Sequence, residues 1–226
     1  MIEKKYVFLV YFIMVALEIY GQLSGKFWLV WIFKALETPL LAYYYYENRK
    51  HKLEILDKLL LLSLAITFIG LWSSYLFNKN VENFNVITII YIIELQITLF
   101  ILSKLNRDVG YNNKNDSWRI SLILITAIGF IYIAFPVFTT LMQCLVLIIM
   151  VQQSLMAIYG LFRKGIDIAI SISIIVIVTS NILSVIGGFI VRTAYDYLWI
   201  MSLSYLSKIL FVEGVLKTQK FIQSKV

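Results

Sequence analysis

The sequence has little of what most enzymes and secreted domains rely on. Cys144 is the only cysteine in 226 residues, so a disulfide scaffold is excluded. His51 is the only histidine. It stands in a basic stretch read as a solvent-exposed loop, so a zinc site of the His/Cys kind is not available. No Walker-type loop, GxSxG or HExxH occurs. The spacing of the acids points to no carboxylate metal site, and no cofactor is expected. Charge is scarce: 15% of residues are charged, against about 25% in an average soluble domain. What is abundant is apolar. The chain is 61% hydrophobic, with a mean hydropathy of +0.84. A disordered chain is poor in such residues, and a soluble domain could not hide this much apolar surface. An all-α, polytopic transmembrane bundle remains.

Eight apolar segments are legible, over residues 6–20, 27–45, 56–77, 84–105, 118–135, 139–161, 168–191 and 197–216. They are long and do not alternate, so they are helices rather than barrel strands. The first is short and contains Glu18. Basic residues precede it as in a signal peptide, but no small-residue cleavage site fits. Residues 21–25, Gly-Gln-Leu-Ser-Gly, read as a tight turn into the second segment. Loops are short, and the longest, 106–117, is rich in Asn and reads as a surface turn. The Tyr43–Tyr46 run suits a membrane interface. One integral membrane domain over residues 1–226 is expected.

The formal net charge is +7, from 20 Lys and Arg against 13 Asp and Glu. With eight spans, fifteen of the twenty basic residues fall in loops or segment ends on one side, from Lys4 and Lys5 through Arg163 and Lys164 to Lys225. Only Lys26, Lys79 and Arg192 fall on the other, while Lys34 and Lys208 lie within segments. By the positive-inside rule both termini are cytoplasmic. The basic surplus is then a topology signal, and no nucleic-acid partner is expected. The absence of a transit peptide and the Lys-, Ile- and Asn-rich usage are compatible with a bacterial inner (plasma) membrane, which is the expected location.

The informative charges are those left inside the segments: Glu18, Lys34, Glu37, Glu94, Lys208 and Glu213. A charge at the bilayer centre costs at least about 2.5–3.5 kcal/mol, so such groups usually face the bundle interior and are paired. Glu18 and Glu213 stand nearer segment ends, where a side chain either snorkels outward or turns inward. Lys34 and Glu37 are three residues apart and share one helix face. Pro39 follows and would free a backbone carbonyl and bend the helix, which can open a polar pocket. Ser73, Ser74, Gln96, Gln143, Gln152, Gln153, Ser180, Asn181 and Ser184 are expected to face the same interior, with Ser204 and Lys208 one turn apart in the last segment. For any single serine or threonine, helix–helix packing is the better explanation, but it does not extend to lysines and glutamates on at least three helices.

Three stretches resemble the YhhN family of eight-helix membrane proteins, whose characterised members are lysoplasmalogenases. In the second segment, Phe33-Lys34-Ala35-Leu36-Glu37-Thr38-Pro39-Leu40-Leu41 is similar to the family's Lys-Pro-Leu stretch, with Ala35 in place of its proline. In the seventh, Val178-Thr179-Ser180-Asn181-Ile182-Leu183 resembles its Ser-Asp-Ser stretch. In the eighth, Met201 through Tyr205 to Lys208 resembles its Met-x-x-Tyr stretch, with Lys208 in place of a Gln. The family's Gly-Asp in the third segment here reads Gly70-Leu71.

The resemblance implies vinyl ether hydrolysis of a lysoplasmalogen. That reaction needs a proton delivered to the alkene carbon and water guided to the oxocarbenium ion. Leu71 can do neither, and Asn181 has no carboxylic proton to give. Three readings follow. In the first, an inactive or altered relative binds a membrane lipid, a lysophospholipid for example, in a pocket of Lys34, Ser73, Ser74, Ser180, Asn181, Tyr205 and Lys208. In the second, an active ether hydrolase uses Glu37 or Glu94 as its acid. In the third, a transporter or sensor uses the buried ion pairs as a path. The first is preferred.

Overall fold

The computed structural model describes residues 4–49, 53–76, 81–108, 138–185 and 196–224, with the isolated positions 121, 128 and 132. Among the described residues the chain is all-helical, with no strand. The seven helices are α1 (Lys4–Leu23), α2 (Phe27–Arg49), α3 (Ile55–Leu76), α4 (Val81–Asp108), α5 (Thr140–Gly160), α6 (Ile168–Val185) and α7 (Asp196–Gln223). Each coincides with one of the apolar segments. The remaining segment, 118–135, lies outside the described residues save for Ser121, Ile128 and Tyr132.

Five helices are long and apolar enough to cross a membrane: α1, α3, α4, α5 and α7. The apolar α6 is shorter over its described length. In α2 the membrane-length run is diluted by Lys34, Glu37, four tyrosines and the Glu47-Asn48-Arg49 end. Within the five spans only 33–44% of residues are buried. Large apolar side chains therefore point outward, among them Leu9, Ile13, Leu62, Ile69, Ile93 and Phe100. Glu18, Glu37, Asp57, Gln152, Ser173 and Ser207 are packed inside. Apolar outside and polar inside is the arrangement that hydrocarbon solvent favours, and the protein is an integral membrane protein.

Helix α5 shows the two faces most clearly. Leu141, Cys144, Ile148, Val151 and Leu155 recur at helical spacing on the exposed side, while Met142, Leu145, Val146, Gln152 and Met156 are buried. Cys144 thus stands on the lipid-facing stripe. A charged reagent does not enter hydrocarbon, where an unpaired charge is costly. A charged maleimide is expected to leave Cys144 unlabelled in intact membranes and to label it after SDS solubilisation. Rapid labelling in sealed membranes would place α5 in water.

The chain divides into two compact units, Met1–Glu94 and Leu95–Val226, with the boundary inside α4. In the first unit, α1 and α2 form an antiparallel hairpin. Its turn follows from Gly25, which takes φ 71°. The Lys26 amide donates to the Gly21 carbonyl at 2.8 Å, and the Gly25 amide to Gln22 at 3.4 Å. These two bonds are the Schellman ending of a helix. The turn therefore begins later than the 21–25 reading places it, because Gly21 to Leu23 still belong to α1. At Gly21 a β-carbon would stand 2.8 Å from Leu29 Cβ, so its absence lets α2 approach. α3 packs on α2 in turn.

In the second unit, α6 and α7 pack closely and antiparallel, and α5 packs on α6. Hydroxyls join α6 to α7: Ser173 donates to the Ser207 carbonyl at 2.8 Å, and Ser180 to the Ile200 carbonyl at 3.0 Å. Asn106, near the end of α4, donates to the Tyr159 carbonyl of α5.

Candidate functional site

In the first unit the polar interior follows from two helix stripes. On α1 the buried positions are Val7, Tyr11, Met14, Val15 and Glu18. This spacing carries Glu18 onto the same face as Tyr11, two turns away. Glu18 is fully buried, so of its two expected orientations the inward one holds. On α2 the buried positions are Val30, Glu37, Thr38, Leu41, Tyr44 and Tyr45. Lys34, half-buried, lies one turn from Val30 and from Glu37 and Thr38 on this same stripe. Pro39 lies outside it, and α2 continues through it without a break.

The register between the stripes is set at two points. Gly21 sits against Leu29 and Val30, and the Phe8 and Tyr44 rings meet at 5.5 Å between centroids. Between them, Tyr11 falls level with residues 39–41, within about one turn of Glu37. Tyr11 is completely buried, and both Glu37 and Glu18 are near enough to act electrostatically on its phenol. One hairpin thus carries a buried phenol, two buried carboxyls and a half-buried lysine on its inward stripes.

A second buried cluster ties α2 to α3. The Asp57 carboxylate is fully buried and accepts four hydrogen bonds. Tyr45 Oη donates at 2.6 Å, Arg49 Nε at 2.9 Å, Arg49 Nη2 at 3.2 Å and the Glu54 amide at 2.8 Å. The last is the reach-back half of a capping box, from the third residue of α3 to the residue before it. The sequence reading counts Arg49 only among the loop charges. The signal that would have found the cluster is Tyr45 and Arg49 at i, i+4, with an acid in the first turn of the following helix.

The other expected site residues are placed as follows. Glu94 is half-buried and ends the first unit, where Ser73 is also half-buried. The side chain of Ser74 lies outside the described residues. Ser180, Asn181, Tyr205 and Lys208 belong to the second unit. Ser180 is buried and its hydroxyl is engaged with α7, the packing role open to an intramembrane serine. Asn181 is half-buried. Tyr205 is buried, and the half-buried Lys208 holds its ammonium 5.8 Å from the Tyr205 ring centroid, a cation–π contact along one helix face. The glutamines do not form one set. Gln152 is buried and donates to the more exposed Gln96 at 3.0 Å, while Gln143 and Gln153 are half-buried. Glu213 is largely buried, 3.8 Å from the Lys217 ammonium one turn on.

Among the described residues no group of three or more His, Cys, Asp or Glu side chains is arranged to hold a metal ion. In comparisons with known proteins, no family model, no characterised protein and no solved structure matches this chain.

Proposed function

We propose that this chain binds a single-chain zwitterionic lipid inside the membrane, as a non-cleaving relative of the lysoplasmalogenase-like proteins it resembles. It spans a bacterial inner membrane eight times with both termini cytoplasmic. The carrying observation is the α1–α2 interior, where Glu18, Glu37 and Tyr11 are buried and Lys34 shares the inward stripe of α2. A lysophospholipid headgroup with a phosphate and an ammonium presents both signs of charge. Lys34 answers the phosphate, and a glutamate answers the ammonium. Groups of both signs within one hairpin match a ligand that itself carries both signs. Binding stops short of hydrolysis because Leu71 and Asn181 occupy the positions where the resemblance implies acids.

Eight spans are supported by the seven described helices together with the apolar stretch at 118–135, and the orientation by the fifteen basic residues on one side. A fluorescent protein fused after Val226 should light up, and alkaline phosphatase fused there should stay inactive. The reverse pattern would invert the topology.

The binding test uses lysophosphatidylethanolamine as probe, with the full chain in detergent and retained lipid read by native mass spectrometry. Loss of one charged hydrogen-bonding partner is expected to weaken retention about tenfold or more in Lys34→Met and in Glu37→Gln. Retention equal to wild type in both variants would sink the reading. Incubation with a lysoplasmalogen is expected to release no fatty aldehyde. Release that disappears in Glu37→Gln or Glu94→Gln would make the protein a hydrolase instead.

A further inference from the structure

One end of the second unit carries a feature that intramembrane lipid binding does not use. α7 has 28 residues, which at about 1.5 Å each reach roughly 42 Å, against a hydrocarbon thickness of about 30 Å. Its apolar run ends at Leu216, and Lys217-Thr218-Gln219-Lys220-Phe221 continues the helix beyond it. The overhang is level with the turn between α5 and α6, because the Asp167 amide donates to Thr218 Oγ1 at 3.0 Å and the Lys217 ammonium lies 4.0 Å from Asp167. Both elements therefore stand at the same membrane–water boundary.

The turn is firmly built. Ser171 Oγ accepts the Phe162 amide at 2.7 Å and donates to the Gly160 carbonyl at 2.8 Å. Arg163 Nε donates to the Ile158 carbonyl at 2.8 Å, closing the end of α5. Phe162 is held at φ 48°, a conformation that favours glycine or asparagine. Yet the residue there is a phenylalanine with its side chain 54% exposed. Phe221 on the overhang is 41% exposed, and Lys164 and Lys220 are exposed beside these two rings in sequence. Charge at this end is unbalanced: Arg163, Lys164, Lys217 and Lys220 face only Asp167 and Glu213 among the acids of the turn and the last turns of α7.

We propose that the α5–α6 turn and the overhanging end of α7 form a docking surface for anionic phospholipid headgroups of the adjacent leaflet. Phe162 and Phe221 sit among the upper acyl carbons, where aromatic rings are favoured. Lys164 and Lys220 reach the phosphates, and Lys217, shared with Asp167 and Glu213, ties the overhang to the turn. The charge complementarity selects an anionic leaflet over a neutral one. This surface belongs to α5–α7 and is independent of the α1–α2 interior.

The test titrates the full chain in detergent with phosphatidylglycerol or phosphatidylcholine and reads bound lipid by native mass spectrometry. Phosphatidylglycerol is expected to be retained preferentially, and the preference to fall about thirtyfold in the double variant Lys164→Gln, Lys220→Gln. Lys26→Gln, on the α1–α2 turn, should leave it unchanged. Phe162→Ser should weaken retention of both lipids while keeping the preference. An absent preference in wild type, or one unchanged in the double lysine variant, would overturn the proposal. So would displacement of the lipid by glycerol phosphate at equal concentration, which would make the surface a site for a soluble phosphate.

Discussion

Asp57→Ala is expected to destabilise the protein by about 3–5 kcal/mol, the range for breaking a buried ion pair from one side. The figure is not discounted for solvent screening, because the Asp57 side chain is fully buried and that of Arg49 is 8% exposed. Removing the carboxylate leaves the Arg49 guanidinium, the Tyr45 hydroxyl and the Glu54 amide to find other acceptors at the α2–α3 junction. Tyr45→Phe removes one donor and leaves the ion pair, so it should cost less, about 1.5–3 kcal/mol for a bond to a charged acceptor. Replacing both ionic partners, as in Arg49→Met with Asp57→Leu, should cost less than Asp57→Ala alone. No isolated charge then remains, and apolar replacement of a buried pair is often near neutral. SDS-titrated unfolding followed by circular dichroism gives all three values. A loss under about 0.5 kcal/mol for Asp57→Ala, the range of ordinary surface substitutions, would show that the cluster is no clamp.

The contrast between this cluster and the helices shows where sequence reading is strong and where it fails. Length and apolar content placed every described helix, because the need to bond each backbone amide inside hydrocarbon leaves few alternatives to a helix. The inward faces were harder to see. In a soluble helix the polar face marks water, but here Leu9 and Ile13 outside are as apolar as Val7 and Met14 inside. Only polar residues broke the symmetry, and they served well at Glu37, Gln152 and Ser180, while the equally buried Ser173 and Ser207 went unnoticed among the other hydroxyls. Glu18 was left between two orientations because its nearness to a segment end allows both. Its position one helical repeat beyond Tyr11 is what turns it inward.

The burial of Arg49 went unseen for a different reason. Counting it as a topology charge follows from its place at the end of α2. But a guanidinium can mark a boundary and still be buried, if a carboxylate from the next helix meets it there. That meeting depends on the course of the chain between α2 and α3 and not on either helix alone. The same holds for the proposed site. Spacing within α2 put Lys34 and Glu37 on one face. That Tyr11 and Glu18 join them follows from the hairpin register set by Gly21, Gly25 and the Phe8–Tyr44 contact.

The tight α6–α7 packing leads to the second large effect. At Gly214 a β-carbon would stand 2.6 Å from Ile170 Cγ1, 2.8 Å from the Ile170 backbone nitrogen and 3.3 Å from the Ala169 carbonyl carbon. A side chain can turn away, but the backbone of α6 cannot without moving the helix. Gly214→Leu should therefore drive the helices apart. The separation should weaken the Ser173–Ser207 bonds and the Asp167–Thr218 bond on either side. The cost is expected to reach or exceed the roughly 1–3 kcal/mol of ordinary overpacking. Gly160 is the internal control. A β-carbon there meets first the Cδ1 of Ile174, the far end of a flexible side chain. A change of Ile174 rotamer can relieve that clash, so Gly160→Ala should stay within about 1 kcal/mol of wild type, helped by the better helix propensity of alanine. If Gly214→Leu proves as mild as Gly160→Ala, the close approach of α7 to the α6 backbone is wrong. The anionic-lipid surface at that end would then lose the scaffold that brings the overhang level with the turn.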